Sequence, residues 1–269
     1  MKKSYMFFAV VLLCFCIWTV GAQPGNRYVG VKAGFGVPNL TSGAKSTPLS
    51  EGYSSRLGSY QGVVAEYNSG NILGIRMELN YSSQGGNRNG MQALPLKAEL
   101  SQLWQMLPAF GVVPDDYMYM DVKNKAILNY LELPVLAKAT FGLSPKWNFY
   151  MNAGPYLGMM LNAKNITKGS SRIFIDNRGN VPVDAILQQA GQQPLGEVNA
   201  ARTEDITSDV HRFNVGGEGA VGFELIMKSG KFFVEGGGNY GFVRIQKDDI
   251  NGTNHTGAGT VTFGYMLRL

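Results

Sequence analysis

The chain has 269 residues, 45% of them hydrophobic and only 16% charged, with 35 glycines and a formal net charge of +5. So mild a basic excess, with no basic run and no basic helix, argues against a nucleic-acid partner. The length suits one large β domain, and the two cysteines, Cys14 and Cys16, both stand too near the start to frame a disulfide scaffold.

Residues 1–22 read as a targeting segment. Lys2 and Lys3 precede an apolar stretch from Phe7 to Val20, and Val20-Gly21-Ala22 places small residues before a cut at Gln23. This is the layout of a secretory signal peptide. The competing reading, an N-terminal membrane anchor, is disfavoured because the apolar run is short and ends at a cleavage-like site. A lipoprotein signal is set aside because neither cysteine follows Gly, Ala or Ser. Cleavage would remove both cysteines and two lysines, leaving 247 residues with 22 basic and 19 acidic side chains. No later stretch is apolar for long enough to form a spanning helix.

Over residues 23–269 the pattern predicts eight strands, at roughly 28–38, 59–67, 72–83, 127–141, 146–162, 211–228, 231–243 and 257–269. Long links are expected at about 39–58, 84–126, 163–210 and 244–256. They alternate with short ones at 68–71, 142–145 and 229–230, which carry turn residues such as Ser69-Gly70-Asn71 and Ser229-Gly230. An even strand count with long and short links in strict alternation describes an all-β, eight-stranded antiparallel up-and-down transmembrane β-barrel. Its short turns would be periplasmic and its long loops extracellular, which places it in the outer membrane of a Gram-negative cell. A soluble sandwich has no reason to gather its long loops at one end, and unstructured loops of that length are uncommon in compact domains.

The strands alternate with period two. In the third, Leu73, Ile75, Met77, Leu79 and Tyr81 oppose Gly74, Arg76, Glu78, Asn80 and Ser82. In the sixth, Phe213, Val215, Val221, Phe223 and Leu225 oppose Arg212, Asn214, Glu218 and Glu224. In a barrel of this type the apolar rows meet lipid and the polar rows fill the lumen. The expected lumen network is therefore Lys32, Glu66, Arg76, Glu78, Glu132, Lys138, Glu218, Glu224, Glu235 and Arg268. A barrel of eight strands is only wide enough for its own side chains, so these charges should pair and plug it. Tyr28, Tyr67, Tyr81, Trp147, Phe149, Phe263 and Tyr265 lie towards strand ends, as interface girdles do. The alternative is a soluble periplasmic β-barrel binding an apolar ligand, with the charges solvated outside.

The last strand, "TVTFGYMLRL", sets Val261, Phe263, Tyr265, Leu267 and Leu269 on one face. Thr262, Gly264, Leu267 and Leu269 resemble the C-terminal assembly signal of bacterial outer-membrane barrels, with Leu269 where an aromatic is usual. "YLELPVLAKATF" (Tyr130–Phe141) and "AGPYLGMMLNAK" (Ala153–Lys164) resemble paired motifs of the PorT-like outer-membrane β-barrel family of Bacteroidota, and "FNVGGEGAVGFEL" (Phe213–Leu225) resembles one of its later strands. The resemblance spans most of the chain after the targeting segment. It implies an eight-stranded outer-membrane barrel. Some relatives are tied to a protein-secretion system, and no catalytic residues carry over.

The partners expected on these grounds are outer-membrane lipid, the barrel-assembly machinery and proteins of a secretion or envelope complex, with no nucleic acid, cofactor or metal. Enzyme chemistry finds little support. Ser208, Asp209 and His211 lie close together at the predicted rim and would be the site of a lipid hydrolase if one existed, but there is no HExxH, CxxC, P-loop or GxSxG motif. Asp/Asn-rich tracts at 114–124 and 248–254 match no EF-hand spacing. In the loops, "LKAELSQLWQML" (Leu96–Leu107) has apolar residues at helical spacing, "VDAILQQA" (Val183–Ala190) suggests a second short helix, and "DDYMYMDV" (Asp115–Val122) suggests a strand extending the sheet above the membrane. The first stripe either caps the barrel mouth or presents Leu103, Trp104 and Met106 to a partner protein.

Overall fold

The computed structural model describes residues 26–42, 47–70, 72–96, 100–113, 116–248 and 252–269. The expected signal peptide and parts of both Asp/Asn tracts lie outside them. The long strands are β1 (Asn26–Ser42), β2 (Gly58–Asn68), β3 (Leu73–Pro95), β4 (Tyr117–Gly142) and β5 (Trp147–Lys168). The loop beyond β5 holds three short strands, β6 (Ser170–Ser171), β7 (Val198–Asn199) and β8 (Arg202–Asp205). The wall continues with β9 (Phe213–Ile226), β10 (Gly230–Gly241) and β11 (Asn254–Arg268). Two short helices, α1 (Ser101–Met106) and α2 (Val183–Gln189), lie in the long links.

Eight strands close into an antiparallel ring in the order β1-β2-β3-β4-β5-β9-β10-β11. Closure is by β1 against β11, in register from Tyr28 opposite Arg268 to Ser42 opposite Asn254. The ring thus has no free edge within the wall, which satisfies every backbone group that lipid could not. The turns after β2, β4 and β9 gather at the end where β1 begins. Met227 N–H donates to Gly230 at 2.8 Å, Leu143 N–H to Trp147 at 2.9 Å, and Leu269 N–H reaches Arg27 at 3.0 Å across the closing seam.

The period-two rows take the expected sides. Ile75 is 53% exposed on the outer wall while Arg76 beside it is 0% exposed in the lumen. Val31, Val221, Val234 and Phe263 share the outer face with Ile75. This apolar exterior excludes the soluble alternative, whose wall would present its charges to water. Inward glycines serve the opposite face. Gly222, Gly216 and Gly264 pair across the ladder with Tyr150, Tyr156 and Phe233. A Cβ on Gly222 would stand 2.7 Å from Tyr150 Cζ, and one on Gly264 2.6 Å from Phe233 Cε1. Each large ring lies over a position that must stay bare, the arrangement known to rescue glycine in sheets.

Three strands run beyond the membrane-spanning segments, and for β4 this is the extension expected at Asp115–Val122. β3 continues to Pro95, β4 begins at Tyr117 and β5 reaches Lys168. The extra residues of β3 ("QGGNRNG") are polar and glycine-rich, which reads as loop, yet above the membrane water tolerates polar side chains on both faces. The links are accordingly shorter than expected. The register between β4 and β5 shifts at Asn129/Tyr130, so Leu161 forms a bulge. Beyond it the inward parity of β5 switches from even residues such as Met160 to odd ones such as Ala163.

Candidate functional site

The lumen is built in layers. Nearest the short turns, Glu66 Oε1 receives both Lys138 (2.9 Å) and Lys231 (2.5 Å), and Glu224 Oε2 receives the same two ammonium groups at 2.8 and 2.9 Å. Lys138 lies 4.1 Å above the Tyr150 ring and Lys231 lies 4.3 Å above that of Tyr28. The next layer repeats the composition. Glu78 and Glu235 take Lys32 at 2.5 and 3.2 Å and Arg76 at 2.6 and 3.2 Å. Tyr150 and Thr262 hydroxyls donate to Glu235 at 2.8 and 2.9 Å. Each quartet holds two cations and two carboxylates, so each is neutral. Neutrality and shared acceptors are what make charges tolerable away from water.

Above the quartets the lumen is polar without cations. Tyr60 donates to Glu218 at 3.1 Å, and Glu132 accepts from Asn239 at 3.3 Å and Gln84 at 3.4 Å. Higher still an apolar layer of Leu40, Leu128, Tyr130, Met160, Val210 and Ile245 closes the mouth.

The sequence-derived network is placed as follows. Lys32, Glu66, Arg76, Glu78, Lys138, Glu224 and Glu235 meet in the two quartets, while Glu132 and Glu218 lie above them. Arg268 does not join them. It is exposed at the rim, where Nη2 donates to Asn26 Oδ1 at 2.6 Å, because it lies past the lowest filled layer and reaches water instead. Lys231 takes the fourth cationic place and was missed. It follows a Ser-Gly turn and reads as a rim residue, yet it shares parity with Glu235, and that parity was the signal. Tyr28 belongs to the lumen rather than to a girdle, being 7% exposed under Lys231. Of the terminal motif, Thr262 and Gly264 face inward, while Leu267 and Leu269 stand exposed at the end where the short turns lie.

The loops fold into a layer of their own. Leu103, Trp104 and Leu107 from the α1 region pack with Met118, Met120 and Val122 of β4, with Ile173 and Ile175, and with Val183, Ile186 and Leu187 of α2. Met118, Met120 and Val122 lie on the same face of β4 as Leu128, Tyr130 and Glu132, so this layer sits over the mouth. Leu103 and Trp104 are thereby buried in the loop core, as the capping alternative has it and not on a partner surface; helical spacing marked a buried face but not what would cover it. Met106 is exposed, with Phe110 and Val113 nearby. Asp176 anchors the turn before α2 by accepting from the Val181 and Asn180 amides at 2.8 and 3.1 Å. Desolvation raises its pKa, but the backbone amide bonds together outweigh it and hold the carboxyl below its ordinary range.

The rim serine and histidine do not assemble. Ser208 Oγ donates to Asp209 at 2.8 Å, and the described contact of His211 is its backbone N–H to Ile245 at 2.8 Å. Among the described residues no group of three or more His, Cys, Asp or Glu is arranged to hold a metal.

Residues 22–246 match the family model described as outer membrane protein beta-barrel domain. No curated protein matches the chain. Among solved structures it is similar to Ail, the attachment invasion locus protein of Yersinia pestis, at 10% identity over 90% of this chain and 99% of that one, with a TM-score of 0.35. Neisserial surface protein A is similar at 9% identity, over 90% and 97% of the two chains, with a TM-score of 0.38. The outer membrane protease OmpT from Escherichia coli is similar at 8% identity, over 93% and 99%, with a TM-score of 0.34.

Proposed function

The chain belongs to the outer membrane protein beta-barrel domain family and resides in the outer membrane, and from that premise we propose that it is a non-enzymatic, non-conducting barrel that serves an envelope or protein-secretion complex through its folded extracellular layer. The observation that carries this reading is the contrast between the two halves of the molecule. The lumen is consumed by internal ion pairs, whereas the loops spend α1, α2 and the extended strands on a separate apolar core. A loop layer with a core of its own is a rigid platform, and rigid platforms suit protein contacts. Met106, Phe110 and Val113 are its exposed apolar tip and the proposed contact. The proposed assignment to the PorT-like branch rests on the quoted motifs, and the proposed assembly signal on the outward Leu267 and Leu269. The hydrolase alternative is disfavoured by the Ser208 bond to Asp209.

The test is a triple substitution of Met106, Phe110 and Val113 by Ser in the native envelope. The barrel should still shift on a gel between unboiled and boiled samples, while the large complex containing it on a native gel is lost. An unchanged complex would refute the platform reading.

A further inference from the structure

Above the membrane, the extensions of two strands carry four lysines on one face. Lys123 and Lys125 stand on β4, Lys164 and Lys168 on β5, and all four are exposed. Asn124 and Ala126, which alternate with them along β4, are buried on the inner side, so the lysines point outward from the wall. The register draws them together. Lys123 lies directly opposite Lys168, Lys125 opposite Ile166, and Ile127 opposite Lys164. Directly opposed residues have Cβ atoms about 4.5–5.5 Å apart, and diagonal ones lie about 7–8 Å apart. The four lysines therefore ring Ile166. Like charges set directly opposite each other destabilise a sheet. None of the four makes an ion pair or a side-chain hydrogen bond among the described residues. Asp121 stands two residues from Lys123 on the same face, and Asp205, opposite Lys164, accepts from the Thr207 amide at 2.9 Å. Two carboxylates thus stand against four cations.

The height of the cluster selects its ligand. Just below it the outward positions are apolar, with Ile127 and Leu131 on β4 and exposed Met159 and Leu161 on β5. Lys164 is three residues beyond Leu161, about 10 Å along a strand that is itself tilted. The polar headgroup zone is about 5–8 Å deep on each side of the hydrocarbon, and lysine stems extend the reach of their ammonium groups. The long loops mark the extracellular end, so the cluster stands at headgroup height in the outer leaflet. It faces sideways from the wall rather than up from the loop tips. A ligand lying in the bilayer meets it before one arriving from the medium. Four lysine point charges suit a phosphate, and a lipid adds an anchor on the apolar wall beneath. We propose that Lys123, Lys125, Lys164 and Lys168 hold a headgroup phosphate of a phosphorylated outer-leaflet glycolipid. This rests on residence in the outer membrane and does not depend on the docking tip.

The experiment is native mass spectrometry of the full-length protein in a neutral detergent, titrated with diphosphoryl lipid A. Dephosphorylated lipid A, inorganic phosphate and heparin are the comparison probes. Diphosphoryl lipid A should bind saturably, and at least about tenfold more tightly than the dephosphorylated lipid or inorganic phosphate. Lys123→Gln/Lys168→Gln should lose about tenfold in affinity, and Lys123→Arg/Lys168→Arg should retain it. These side chains are exposed, so the gel shift on boiling should persist in both variants. Thermal unfolding gives a second readout. Without lipid A the Gln variant should unfold at the wild-type temperature or above it, because a like-charge pair is gone. Added lipid A should raise the wild-type midpoint more than the variant's. Equal binding of the dephosphorylated lipid or of inorganic phosphate, or unchanged affinity in the folded Gln variant, would overturn the proposal. Displacement of lipid A by an equal concentration of heparin would also overturn it, in favour of a soluble polyanion.

Discussion

Lys231 shows at the scale of one residue how the lumen works. Its ammonium bridges Glu66 and Glu224, and the same two carboxylates bridge Lys138. Replacing one member leaves the others unbalanced in a buried site, so Lys231→Met should destabilise the barrel by about 3–5 kcal/mol in denaturant unfolding from lipid. The pair Lys231→Met with Glu224→Gln restores neutrality and should cost less than Lys231→Met alone. Parity placed nine of the ten expected charges in the lumen, because the strand period fixes which side a residue faces. It does not show where the lumen ends, so it includes Arg268, leaves Lys231 out and assigns Tyr28 to a girdle. Asp176 gives a pH test in the loop layer. Its carboxyl sits below the ordinary aspartate value of 3.8, so its contribution is present above that value and is lost as pH falls through the lower folded one. Protection of the Asn180 and Val181 amides from hydrogen exchange, relative to the intrinsic rate at each pH, should fall on acidification over that window. In Asp176→Asn the same amides should show no such step, and a step of equal size there would contradict the assignment.

Strands divide the molecule by depth as well as by face. Val221 lies in the middle of β9, while Ile75 is the third residue of β3 and close to the turn. Both point to lipid. An arginine at Val221 should therefore cost about 2–4 kcal/mol and one at Ile75 about 0–1 kcal/mol, since the penalty falls towards the interfaces. Equal costs in refolding titrations would mean that the depth assignment is wrong. On the inner face Gly222→Val would press on Tyr150 and through it on Glu235, an overpacking expected to cost about 1–3 kcal/mol. The eight wall strands were legible because apolar alternation of membrane-spanning length is hard to mimic. The far end of β3 was not, because "QGGNRNG" carries loop residues that only its pairing with β4 makes extended, whereas the start of β4 was legible in "DDYMYMDV". The α1 stripe was legible as a buried face, but its cover comes from the nearby start of β4 and from α2, which is far away in sequence.

For the whole molecule, closure without an edge, an apolar exterior and two neutral quartets amount to a barrel whose interior is structure rather than passage. The barrel fold and its outer-membrane location were legible from the strand pattern and the loop alternation; the folded loop layer was not, since its core joins two links that lie on either side of β4 and β5. The account stands or falls on whether the stacked layers seal the lumen. Reconstitution of the protein into a planar lipid bilayer, with recording at moderate voltage, tests this most directly. A sealed barrel predicts insertion without stable unitary current steps, and a reproducible ohmic conductance through the wild-type protein would contradict it.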